Sequence, residues 1–203
     1  MQAFNPYLPS WEYTPDGEPH VFDGRVYVYG SHDRFRGHVY CLNDYVCWSA
    51  PEDDLTDWRY EGVIYGKTDD PDNRDGEGCL FAPDVTKGPD GRYYLYYVLS
   101  NRGYVSVAVC DTPAGRYEYL GNVRYEDGAR LGEREGDEPQ FDPGVLTEGD
   151  VTYMYTGFCG PWDRSRTGPM MGASVAQVHQ YLRADDGIQC SDIHRKAVRG
   201  ACG

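Results

Sequence analysis

Over the first 171 residues, apolar and polar positions alternate with a period of two, in short aromatic and β-branched runs separated by Gly, Asp and Pro. That spacing predicts strands with one side chain in two on each face. The clearest runs are 25–29 (RVYVY) after Asp23-Gly24, 92–98 (RYYLYYV) after Pro89-Asp90-Gly91, 105–109 (VSVAV), and 151–155 (VTYMY) after Glu148-Gly149-Asp150. Each Asp-Gly or Gly-Asp pair supplies the positive φ of a tight hairpin, so the chain reads as all-β.

A longer repetition lies over the strands. Segments beginning at Glu18, Ala82 and Phe141, about 60 residues apart, each read as an acid near a proline, an apolar strand, a tight turn and an aromatic strand. Repeated antiparallel units whose inner strands begin at a carboxylate predict a β-propeller, in which those strand starts meet at the mouth of a central channel.

Usage changes near residue 171. Residues 1–171 hold 28 of the 29 aromatic side chains with 15 basic and 30 acidic groups, whereas 172–203 hold only Tyr181 with 4 basic and 3 acidic groups. We therefore divide the chain into a body, 1–171, and an unrelated tail, 172–203, partly helical or disordered, with a short helix expected over 173–184 from Val175, Val178 and Leu182. The simplest origin for such a tail is a truncated or frame-shifted reading of a longer gene. His179, Cys190, His194 and Cys202 match no common metal-ligand spacing.

The formal charge of −14 argues against nucleic acid and anionic membrane surfaces as partners. No run approaches the roughly 18 apolar residues of a membrane span, and the N-terminus lacks a signal-peptide pattern, so a cytoplasmic location is expected. Seven cysteines without a CxxC pair read as reduced, mostly buried thiols.

Several stretches together carry a family resemblance: 5–9 (NPYLP), 15–33 (PDGEPHVFDGRVYVYGSHD), 48–51 (WSAP), 55–58 (LTDW), 81–85 (FAPDV), 107–115 (VAVCDTPAG) and 141–145 (FDPGV). Over 5–171 the body resembles glycoside hydrolase family 43, the five-bladed propellers that include β-xylosidases, α-L-arabinofuranosidases and arabinanases. It departs at Phe81, where many members have Trp, and at Gly17-Glu18. The resemblance implies an incomplete propeller made of the N-terminal blades.

Glycosidic bonds hydrolyse with two carboxyl groups; in an inverting enzyme a carboxylate activates water while a carboxylic acid protonates the leaving oxygen. The resemblance assigns the base to Asp16 and the acid that modulates the proton donor's pKa to Asp142. It places Asp84, Phe81 and His32 near the sugar, with a structural alternative for each: Asp84 holding the channel together, Phe81 in the core, His32 in a satisfied pair with its surroundings. Trp11 and Trp162 are further candidate sugar platforms or core residues. The general acid of these enzymes is a Glu on the following blade. Here the only Glu after Asp142 is Glu148, in a hairpin turn.

The expected function is hydrolysis of O-glycosyl bonds in xylose- or arabinose-containing oligo- or polysaccharides. The alternative is a catalytically inactive carbohydrate-binding fragment; phosphorolysis lacks the clustered arginines it needs. No cofactor is expected. Related propellers often hold a structural calcium, but no ligand set is visible here. An open arc of blades also exposes strand edges, which predicts self-association.

Overall fold

The computed structural model describes residues 7–157 apart from 101, 136, 138 and 139, together with the backbone of two later strands, 172–179 and 188–197. The described residues form an all-β protein, relieved only by two single-turn 3-10 helices at Lys67–Asp69 and Pro71–Asn73. No helix is long and apolar enough to cross a membrane among these residues.

The first blade is an antiparallel meander of β1 (Glu18–Phe22), β2 (Arg25–Tyr29), β3 (Tyr45–Pro51) and β4 (Arg59–Tyr65). Its first hairpin turns at Asp23 and Gly24, with φ values of 49° and 78°. Two consecutive positive φ angles match the right-handed strand twist, which is why Asp-Gly marks this turn.

The second blade comprises β5 (Asp84–Lys87), β6 (Tyr93–Tyr97), β7 (Ser106–Cys110) and β8 (Glu118–Tyr125). The third comprises β9 (Gly144–Glu148), β10 (Val151–Gly157), β11 (Gly172–His179) and β12 (Ile188–Ala197). β12 pairs in parallel with β8, so the second and third blades form one eight-stranded sheet in the order β5-β6-β7-β8-β12-β11-β10-β9. The two ends of that order come back together: Thr86 on β5 and Thr147 on β9 share a hydroxyl hydrogen bond of 2.9 Å.

The alternation in β6 divides the interior in two. Tyr94 and Tyr96 enter a core with Val105, Val107, Val145 and Met154, between the second and third blades. Tyr93, Leu95 and Tyr97 enter a second core with Tyr27, Tyr29, Tyr45 and Tyr65, between the second and first. All five residues of β6 are buried, as a strand covered on both faces requires. Buried phenols need partners: Tyr97 donates to Asp70 at 2.5 Å and Tyr29 donates to the Pro113 carbonyl at 2.7 Å.

The short helix expected from 173 is corrected: Gly172–His179 is strand β11, in register with β10 from Thr152↔Val178 to Gly157↔Ala173. An unpaired edge on β10 gains a ladder of backbone hydrogen bonds from an extended neighbour, and β-branched Val175 and Val178 suit that conformation better than their spacing suits a helix. Residues 180–184 lie outside the described residues.

Candidate functional site

The site forms where the strand entries of the three blades meet. Asp16 lies between Pro15 and Gly17, just before β1, with φ of 53°. Its Oδ2 accepts a 2.7 Å hydrogen bond from the Ser31 hydroxyl, which also reaches the Pro15 carbonyl at 3.3 Å. Ser31 follows β2 and is fully buried, so it pins the Asp16 loop from a rigid strand end. Gly30 makes this approach possible: a Cβ there would lie 2.6 Å from the Pro15 carbonyl oxygen.

Asp142 lies just before β9, between Phe141 and Pro143, with φ of 43°. A residue before proline favours extended backbone, and positive φ in a non-glycine residue adds strain. Backbone strain of this kind concentrates at functional sites. Only five described non-glycine residues have positive φ, and Asp16 and Asp142 are two of them. Partial desolvation, and after it the charge of Asp16, raise the Asp142 carboxyl to about 6. The two acids therefore act on each other electrostatically although they come from the first and third blades.

Tyr45 is completely buried, and its hydroxyl donates to the Phe81 carbonyl. Burial raises its phenol well above the ordinary value, and the charges of both Asp142 and Asp16 contribute. Cys41 packs nearby; burial pushes its thiol up to about 11, with Asp33 and Asp16 adding to the rise.

Asp84, at the start of β5, is buried and its carboxylate is fully engaged by protein. Oδ1 accepts from His20 Nε2 at 2.5 Å and from the Val85 amide at 2.7 Å; Oδ2 accepts from the Val145 amide at 2.6 Å. One carboxylate thus ties together β1, β5 and β9. His32 has a carboxylate oxygen of Glu12 at 2.9 Å from Nε2 and the Asp44 carbonyl at 2.9 Å from Nδ1, so both ring nitrogens are occupied. Phe81 is 8% exposed and packs edge-on against Phe141, with ring centroids 5.4 Å apart. Tyr40, 53% exposed, lies 5.9 Å from it, ring centroid to ring centroid, with the two rings tilted. Trp11 is exposed and tilts against Trp48; Trp162 lies outside the described residues.

Ser31, Tyr45, Tyr40 and Glu12 were not singled out by sequence reasoning. Ser31 stands beside a residue that was, in the run Tyr29-Gly30-Ser31-His32, but its bond to Asp16 depends on the fold. Glu12 also accepts from the Trp48 indole at 2.8 Å, a contact across 36 residues with no local signal. Among the described residues no group of three or more His, Cys, Asp or Glu side chains is placed to hold a metal ion. The described cysteines 41, 47, 79 and 110 are free thiols, and all but Cys110 are buried.

Comparison with known proteins gives this arrangement its context. A xylosidase/arabinosidase of Thermoclostridium stercorarium is 76% identical over 169 residues, covering 83% of this chain but 36% of that protein. One from Bacteroides ovatus is 29% identical over 172 residues, covering 80% of this chain and 48% of the relative. The chain therefore spans about a third to a half of these curated relatives. The crystal structure of a GH43 β-xylosidase/α-arabinofuranosidase from a compost metagenome, in complex with xylotriose, superposes with a TM-score of 0.62 at 25% identity, covering 90% of this chain and 58% of that one. A GH43_1 enzyme from Xanthomonas citri complexed with xylose gives 0.64 at 24% identity over 91% and 55%. The fold is accordingly that of an incomplete propeller of N-terminal blades. The model of the glycosyl hydrolases family 43 matches residues 11–191, from ahead of the first blade into the last strand of the third and across both strained acids, and the chain belongs to that family.

Proposed function

We propose that this chain provides the base-bearing half of a glycoside hydrolase that cleaves xylose- or arabinose-containing saccharides with inversion. Asp16 serves as the general base, held by Ser31, and Asp142 as the acid that tunes the proton donor. The observation that carries this reading is the convergence of Asp16 and Asp142, two strained carboxylates from different blades, one raising the pKa of the other. The substrate class rests on the xylosidase/arabinosidase relatives and on the xylose and xylotriose complexes among the solved structures.

In an inverting site the two reacting carboxyl groups stand roughly 6.5–9.5 Å apart, leaving room for the water that attacks. Asp16 would take the proton from that water, its Oδ2 oriented by the Ser31 hydroxyl. Asp142, as a nearby negative charge once ionised, would favour the protonated form of the donor. The exposed Tyr40 ring beside Phe81 would suit the C–H face of a pyranose. His32 and Asp84, whose polar atoms are occupied by protein, would shape the site rather than contact sugar.

A second reading is favoured by the position of Glu148. It ends β9 at the exposed Gly149 turn, at the opposite end of that strand from Asp142. On that reading the chain binds carbohydrate without cleaving it. Loss of a general acid removes roughly 10²–10⁴-fold of rate, least for activated aryl glycosides whose leaving groups need no protonation. Hydrolysis of aryl β-D-xyloside and aryl α-L-arabinofuranoside by the chain and by Asp16→Asn separates the two. Turnover that disappears in the variant supports the hydrolase; no turnover from either folded protein, with retained saccharide binding, supports the binding fragment.

A further inference from the structure

The loop that carries Asp16 is held in a conformation that costs free energy. Asp16 keeps a φ of 53°, and the Thr14 hydroxyl oxygen is buried without a hydrogen-bond partner among the described residues. Such strain persists only where the surroundings over-determine the backbone. Here the stretch 12–16 is laced to 31–33. The Asp33 amide donates to the Tyr13 carbonyl at 2.9 Å, the Ser31 hydroxyl reaches the Pro15 carbonyl and Asp16, and His32 meets Glu12. The Glu12 side chain is 3% exposed and gathers donors from three places: His32 Nε2 and the Tyr13 amide on Oε1, at 2.9 and 3.0 Å, and the Trp48 indole on Oε2 at 2.8 Å. His32 follows β2 and also contacts the Asp44 carbonyl just ahead of β3, while Trp48 lies within β3.

We infer that Glu12 is a positioning residue for Asp16: its carboxylate, shared by His32 and Trp48, fixes the segment leading into Asp16 against β2 and β3. A buried carboxylate is tolerated only while its partners are in place. The segment therefore cannot slide along the blade without leaving Glu12, His32 and the indole unpaired together. Ser31 alone would not hold it, because one hydroxyl hydrogen bond is comparable in strength with the cost of a single strained residue. The anchor acts from the blade that also bears Asp16, through side chains that do not reach the carboxylate itself. Its consequence for catalysis rests on the hydrolase reading of the site; the placement of Asp16 stands on the hydrogen bonds.

The test is carbon NMR of the 203-residue chain labelled at its aspartate carboxyls, with the Asp16 and Asp142 signals assigned from Asp16→Asn and Asp142→Asn. Glu12→Gln keeps the size of the side chain and one acceptor oxygen, and leaves one of the buried donors without its partner. At position 32, Gln sets an amide near the place of Nε2 and keeps the tie to Glu12, whereas Asn sets one near Nδ1 and loses that tie. Circular dichroism checks that each variant is folded. Glu12→Gln and His32→Asn should move the Asp16 signal and make Asp142, which titrates at about 6 in the parent, titrate lower, because the charge of Asp16 has moved off. His32→Gln should stay closer to the parent. Turnover of an aryl β-D-xyloside should fall in the same order, in kcat more than in KM, by up to about a hundredfold. An Asp16 signal and an Asp142 titration unchanged in Glu12→Gln, or equal shifts in the two variants at position 32, would overturn the inference. The expected shifts in a chain without Asp16-dependent turnover would uphold the placement and overturn the hydrolase reading.

Discussion

Asp16 and Asp142 enter one site from the first and third blades, each on a left-handed backbone, and the charge of Asp16 adds to the desolvation that raises Asp142 to about 6. Asp16 is held within its own blade, whereas Asp142 leans on a neighbouring one. Asp16 is held by Ser31 at the end of β2, while Asp142 takes its position from Phe141, whose ring packs on Phe81 and whose carbonyl accepts from the Gly157 amide at 3.0 Å. The pair is a product of blade packing, and changes in that packing should register in its electrostatics.

The raised pKa of Asp142 makes stability depend on pH. A carboxyl at about 6 in the folded chain and 3.8 unfolded binds its proton more tightly when folded. Its contribution to stability is therefore full below about pH 4, declines as pH rises toward 6, and is gone above that. Asp142→Asn removes the ionisation and tolerates positive φ. Because the side chain is exposed, the gain is about 1 kcal/mol or less, or a few degrees in Tm. Thermal melts at pH 4 and pH 7.5 should show the variant melting higher than the parent only at the higher pH; equal differences at both would refute the assignment.

Asp84 should matter more to stability than to chemistry. Asp84→Ala leaves the buried Val145 amide and His20 without their acceptor and loosens the junction of three blades, a loss of roughly 2–4 kcal/mol. Asp84→Asn keeps one carbonyl oxygen and should lose less. Urea unfolding of the two variants beside the parent measures this, and a change under about 0.5 kcal/mol for Asp84→Ala would show that the tie carries little.

Gly30 is required by space rather than by φ. A methyl group there would meet the Pro15 carbonyl oxygen at 2.6 Å and the Thr14 methyl at 2.8 Å, so Gly30→Ala must push the Asp16 loop off the end of β2. We expect about 1–3 kcal/mol of destabilisation. On the proposed function, binding of xylo-oligosaccharide, followed by calorimetry, should weaken along with it. Unchanged stability and binding would place the loop elsewhere in solution.

The strands were legible in the sequence because their signals are local. The period of two in 25–29 and 92–98, and the positive φ that Asp23-Gly24 supplies, are properties of adjacent residues, and the repeated grammar near residues 18, 82 and 141 marked the blades. The same locality explains the error at 173–179, where helical spacing of Val175 and Val178 lost to the open edge of β10. Asp16 and Asp142 could be picked out by their motifs, but not the fact that one raises the pKa of the other. The Ser31 bond to Asp16, the Glu12 bonds to His32 and Trp48, and the tie made by Asp84 link residues 15 to 64 positions apart. Pattern along the chain determines which residues become strand and turn, since that choice depends on neighbours in sequence. Only the packing of blade on blade decides which carboxylates face each other, because their separation, and with it their charge and hydration, is a property of three dimensions.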